Sequence, residues 1–136
     1  MKSIIVSMIA AAGLVVAGSA LAVDMPPLAK KHNCVACHSI EKKVVGPSWR
    51  DISKAYNNAG ATGSAVDPAA YKVSNKVADI LAKNNSKTAE EWLLKKVSKG
   101  GAGDWGTMPM PANDPSGAKA ADLKELVKFI MGLEKK

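Results

Sequence analysis

The chain is poor in the residues that build large cores: its 136 residues include only six aromatics (three Trp, two Tyr, one Phe), and just two cysteines and two histidines. It shows no internal repeat and no period-two alternation of useful length, which leaves an all-α class. Short helices and glycine-rich loops with so few large rings make a thin core, one that a non-protein group could help to fill. No basic stretch is interleaved with aromatic residues, which argues against nucleic acid as a partner. The length allows one compact domain and excludes two large ones. After the first 22 residues no run is long and apolar enough to span a bilayer. The 47% hydrophobic content is inflated by that opening segment, so the remainder is more polar than the average implies.

Between Lys2 and Asp24 there is no charged residue, Ile4 to Ala17 is almost wholly apolar, and Ala20-Leu21-Ala22 has the small-x-small form of a cleavage site. This reads as a signal peptide over residues 1–22, with Val23 the first mature residue and 23–136 the mature domain. The alternative is an uncleaved anchor helix; the short apolar centre and the cleavage triplet favour removal. The expected location is the periplasm. Loss of Lys2 takes one positive charge from the total of +7 and leaves the protein basic.

Asp24-Met25-Pro26-Pro27 reads as a helix start, with Asp24 as cap and proline in the first turn. Val44-Val45-Gly46-Pro47-Ser48 is a turn, followed by a helix with Trp49, Ile52 and Tyr56 at helical spacing. Asn57 to Asp67 is rich in Gly, Ala, Ser and Asn, and a weak helix is expected at 76–83. Thr88 and Glu91 form a capping box ahead of Trp92, Leu93 and Val97, and Gly100-Gly101 ends that helix. Trp105 to Asn113 is expected to be extended. Leu123, Leu126, Val127, Ile130 and Leu133 share one face of a last helix, with Ser116 as its expected cap.

Both cysteines fall in Cys34-Val35-Ala36-Cys37-His38, the C-x-x-C-H attachment signature of c-type haem. Sulfurs at this spacing can bond the two vinyl groups of one haem, and the next residue then offers its imidazole to the iron. A thioredoxin-like C-x-x-C needs a βαβ setting that this sequence lacks. A zinc site would need Cys34, Cys37 and His38 joined by His32, whereas a fourth ligand normally arrives from a distant segment. His32 is expected to be an ordinary helix residue.

A sixth iron ligand must come from elsewhere in the chain, and its identity separates electron transfer from gas binding or catalysis. With His38 used, methionine is the best soft donor. Met25 is too close to the motif and Met131 belongs to the last helix, where a core role is expected. Met108 and Met110 remain, both in Trp105-Gly106-Thr107-Met108-Pro109-Met110-Pro111-Ala112-Asn113. Prolines on both sides of Met110 restrict its backbone, as suits a permanent ligand.

At these residues the chain resembles the small monohaem class I cytochromes c of bacteria, the c-551/c-552 type. The resemblance covers residues 24–56 and 88–133 through Cys34-Val35-Ala36-Cys37-His38, Val44-Val45-Gly46-Pro47, Gly103-Asp104-Trp105-Gly106 and Met110-Pro111-Ala112-Asn113. It implies the class I cytochrome c fold around one covalent haem c, attached through Cys34 and Cys37. It further implies His38 and Met110 as axial iron ligands, with Met110 preferred to Met108. Pro47 would accept a hydrogen bond from the proximal imidazole, Trp105 would donate to a haem propionate, and Asn113 would adjust the methionine side. The family's basic residue near the propionates would fall on Lys96. The stretch from about 57 to 87 departs from the smallest members as an insertion.

The expected function is a soluble one-electron carrier, not an enzyme, serving respiratory redox partners. A haem enzyme or gas sensor would need an accessible iron face, and no second histidine, arginine or acidic constellation near the distal loop suggests a proton relay. The expected partners are acidic surfaces of redox proteins (a reductase, an oxidase or a quinol-oxidising complex). Lys30, Lys31, Lys42 and Lys43 flank the motif, as a solvated face or as a charged ring that steers the haem edge. A monomer with no stable membrane anchor is expected.

Overall fold

The first helix begins at a pair of prolines. In the computed structural model, which describes residues 22–57 and 77–134, α1 spans Pro27–Lys31. Its cap is Pro26, extended at φ −64 and ψ 152, with no side-chain hydrogen bond. Asp24, the expected cap, lies ahead of the helix and is exposed. Proline's fixed φ, already suited to a first turn, takes over what a capping carboxylate would otherwise do.

Asn33 then turns through the left-handed region (φ 58) into a 3-10 turn, Cys34–Ala36. A closed loop follows, in which Gly46 N–H donates back to the Cys37 carbonyl at 2.8 Å. α2 (Trp49–Asn57) starts against this loop. Its first two N–H groups, which no helix can satisfy internally, donate to the Ser39 and Ile40 carbonyls at 3.0 Å each. Ser48 Oγ accepts from Asp51 N–H at 3.0 Å as a side-chain cap. Arg50, in the same turn, reaches back to both carboxylate oxygens of Glu41 (2.8 and 2.6 Å) and forward to Glu134 (2.6 Å).

α3 (Val77–Lys83) agrees with the weak helix expected at 76–83, and buries Ile80. α4 (Ala89–Lys99) has the expected capping box, with one difference. Thr88 Oγ1 accepts from Glu91 N–H at 3.1 Å, but Glu91 returns to the N–H of Lys87 (2.9 Å), one residue before the cap. Hydrogen bonds from Lys87 N–H and then from Lys95 hold the Glu91 carboxyl below its usual range.

α5 (Ala120–Gly132) is the packing centre, meeting α4, α2 and α1. Leu123, Leu126, Val127 and Ile130 are buried against Trp49, Ile52, Ala55 and Tyr56 of α2 and Trp92 and Leu93 of α4. Ser116 does not cap it: Lys119 precedes the helix, and Lys119 N–H is accepted by the buried Asp114 at 2.9 Å. Among the described residues there is no β-strand, only two isolated bridges, His38 with Lys43 and Gly101 with Met110. No helix among them is long and apolar enough to cross a membrane. The expected signal segment, apart from Ala22, lies outside the described residues, as does 58–76 of the expected insertion.

Candidate functional site

The attachment motif sits where α1 hands over to the loop. α1 is fixed on α5 by His32 Nε2 and Lys31 Nζ, which share one oxygen of Asp122 at 2.9 and 2.7 Å. His32, expected within the helix, is instead the residue that ends α1 and ties it to α5. Among the described residues no three His, Cys, Asp or Glu side chains group as a metal site. Cys34 and Cys37 are half-buried and not joined as a disulfide. Burial pushes the Cys34 thiol above its usual range, and the neighbouring Cys37 adds to the shift.

His38 is held by the loop that the sequence marked as a turn. Its Nδ1 lies 2.7 Å from the Pro47 carbonyl, which can only accept, so Nδ1 carries the proton and Nε2 keeps a lone pair. Burial lowers the imidazole's proton affinity, outweighing the Pro47 hydrogen bond, so the neutral ring is favoured. Gly46 lies flat against this ring: a Cβ there would stand 2.5 Å from His38 Cε1. Trp49 approaches from α2, its ring centroid 6.4 Å away.

The methionine loop follows α4. Met110 is half-buried and exchanges two backbone hydrogen bonds with Gly101 (2.9 and 3.0 Å), whereas Met108 is 65% exposed. Met25 and Met131 pack against the core, the role expected for them. Asn113 Nδ2 donates to the carbonyls of Val97 (3.3 Å) and Pro111 (3.1 Å), so the side chain braces the loop just after Met110.

Trp105 packs on Tyr56, ring centroids 6.3 Å apart, beside the Tyr56 hydroxyl. Trp92 Nε1 donates to the same buried oxygen at 3.0 Å. An indole N–H only donates, and Trp92 spends its own on this phenol. Lys96 is paired with Asp104 at 2.6 Å, with the two side chains 13% and 17% exposed.

Sequence reasoning placed Gly46 in a turn and in the Val44-Val45-Gly46-Pro47 motif, placed Tyr56 on a helix face, and gave Asp114 no role. The glycine-proline pair soon after the motif was the one available signal for Gly46. Nothing local marks Tyr56, whose partners lie at 92 and 105.

The donor set suits haem c: two thiols at attachment spacing, a neutral imidazole with a free nitrogen and a bound second nitrogen, and a fastened thioether downstream. The family model described as Cytochrome c matches residues 15–134. The chain belongs to the cytochrome c family. Cytochrome c-551 of Allochromatium vinosum is 36% identical over 120 residues, 88% of this chain and 95% of that protein. Cytochrome c-552 of Nitrosomonas europaea is 35% identical over 134 residues, 98% of this chain and all of that protein. Among solved structures, a deletion mutant of Nitrosomonas europaea cytochrome c552 is similar, with TM-score 0.50 and 33% identity over 79% of this chain and 96% of that one. The all-α arrangement is thus the class I cytochrome c fold. The cytochrome carries one covalently attached haem c and is an electron carrier, not an enzyme.

Proposed function

We propose that this cytochrome is an exported periplasmic shuttle with histidine–methionine iron ligation, matured by removal of residues 1–22 into a domain of residues 23–136. Cys34 and Cys37 carry the thioether links, His38 is the proximal ligand through Nε2, and Met110 is the distal ligand. When bound, haem supplies an iron that exchanges one electron. His38 and Met110 would hold the iron in either oxidation state, so little would rearrange on transfer. Pro47 fixes the imidazole plane and makes the ligand nitrogen more basic. Asn113 braces the segment that carries Met110. Trp105 would donate its indole N–H to a haem propionate. A thioether ligand favours the reduced state, so a comparatively high potential is expected.

The observation that carries this reading is the 2.7 Å contact from His38 Nδ1 to the Pro47 carbonyl, which presents the other ring nitrogen as a metal donor. Lys42 and Lys43 are exposed beside exposed Val44 and Val45, a basic and apolar stretch that suits acidic faces of redox proteins.

The ligand assignment is tested by comparing Met110→Ala with Met108→Ala. Met110→Ala should abolish the weak red-edge band of ferric iron–thioether bonding, lower the midpoint potential and admit carbon monoxide to the reduced protein. Met108→Ala should leave all three as in the wild type. The reverse pattern would overturn the reading.

A further inference from the structure

Residues 110–114 are fastened along the end of α4. Met110 N–H donates to the Gly101 carbonyl at 3.0 Å, and the Met110 carbonyl accepts Gly101 N–H at 2.9 Å. Asn113 N–H and Asp114 N–H continue the seam, to Val97 O at 3.1 Å and Ser98 O at 3.2 Å. The Gly101 carbonyl has a second donor, Lys96 Nζ at 2.8 Å, and Lys96 is itself held by Asp104. Gly100 stands at φ 70, where a side chain is strained. A Cβ there would also collide with the Met110 carbonyl oxygen and stand 2.8 Å from Ala112 N and from the Pro111 carbonyl carbon. All three obstacles are backbone and cannot swing aside.

We propose that Gly100, Gly101 and Lys96 are positioning residues for the sixth iron ligand: the end of α4 is a rigid seat that fixes the Met110 backbone and so sets how firmly its sulfur is held on the iron. This rests on the assignment of Met110 as that ligand. A methionine side chain has three rotatable bonds, and a loose loop beneath it would have to be ordered each time the bond formed. The seam orders it beforehand. Lys96 contributes through the Gly101 oxygen, the acceptor of the Met110 N–H.

The test uses purified ferric holoprotein, with imidazole as competitor for the sixth position and the red-edge thioether band as reporter. Gly100→Ala should raise the apparent imidazole affinity at least about tenfold, since displacements near 1 Å are costly at such sites, and should lower the midpoint potential. Lys96→Met should act in the same direction with a smaller effect, and Lys96→Arg should restore the wild-type affinity. If Gly100→Ala fails to mature, the Lys96→Met and Lys96→Arg contrast decides. Variants that lose folding stability while imidazole affinity and midpoint stay at wild-type values would overturn the seat and leave the ligand assignment standing. Absence of the band from the wild type would overturn the assignment and this inference with it.

Discussion

The Trp92 indole donates to the Tyr56 hydroxyl across 3.0 Å, joining α4 to α2 inside the core at a point 36 residues apart in sequence. Trp105 packs against the same ring, centroids 6.3 Å apart. Tyr56→Phe leaves the Trp92 N–H without that acceptor. The expected loss is about 1–3 kcal/mol, the usual cost of an unsatisfied buried donor. Denaturant unfolding of the haem-loaded protein measures it, and a double-mutant cycle with Trp92→Phe should return a coupling well above zero.

Burial pushes the Tyr56 hydroxyl above its ordinary value of 10.0, the Trp92 hydrogen bond and then the neighbouring Trp105 indole oppose this, and the charge of Asp104 adds to it. The folded state therefore keeps this proton when the unfolded chain has begun to lose it. Stability from this group is complete below pH 10 and falls as pH rises through the folded-state value. Unfolding curves above pH 10 should be less steep in pH for Tyr56→Phe than for the wild type.

Gly46→Ala should disturb the proximal side without replacing a ligand. The new methyl would stand 2.5 Å from His38 Cε1, so the ring or the loop must move, at a cost of about 1–3 kcal/mol. A lower denaturation midpoint together with a shifted Soret band in the ferrous protein is the expected result; an unchanged spectrum would mean that the loop yields instead of the ring.

Thr88→Ala should cost about 0.5–2 kcal/mol, the range for loss of a helix cap, because the Glu91 N–H loses its 3.1 Å acceptor. Thermal unfolding reads this, and the midpoint potential should not move, since the cap lies at the end of α4 opposite the methionine seat.

Reversing charge at Lys42 and Lys43 tests docking. The second-order rate of oxidation by an anionic iron–cyanide complex at low salt should fall by about tenfold, within the range of electrostatic steering, and the difference should shrink as salt is added. An unchanged low-salt rate would place the encounter elsewhere.

Features carried by spacing along the chain were readable from sequence. The stripe from Leu123 to Ile130, the Thr88–Glu91 box and the Cys34–His38 motif each depend on neighbours within a few residues. Features set by tertiary partners were not. Asp114, not Ser116, receives the N–H before α5, because the turn folds a carboxylate five residues back onto Lys119. Gly46 and Gly100 look like ordinary turn and stop signals; the reasons they cannot be larger are an imidazole ring and the Met110–Ala112 backbone that folding brings against them. Pro26 displaced Asp24 as the start of α1 because two prolines in succession leave little choice of backbone.

Arg50 grips Glu41 with one edge and Glu134 with another, so the tail of the chain is knotted to the loop that leads away from His38. An electrode linker or dye attached after residue 134 would tug on that knot and disturb the proximal side of the iron. Exposed Lys124 and Lys128, on the outer face of α5, are the better anchors for wiring the molecule to a surface.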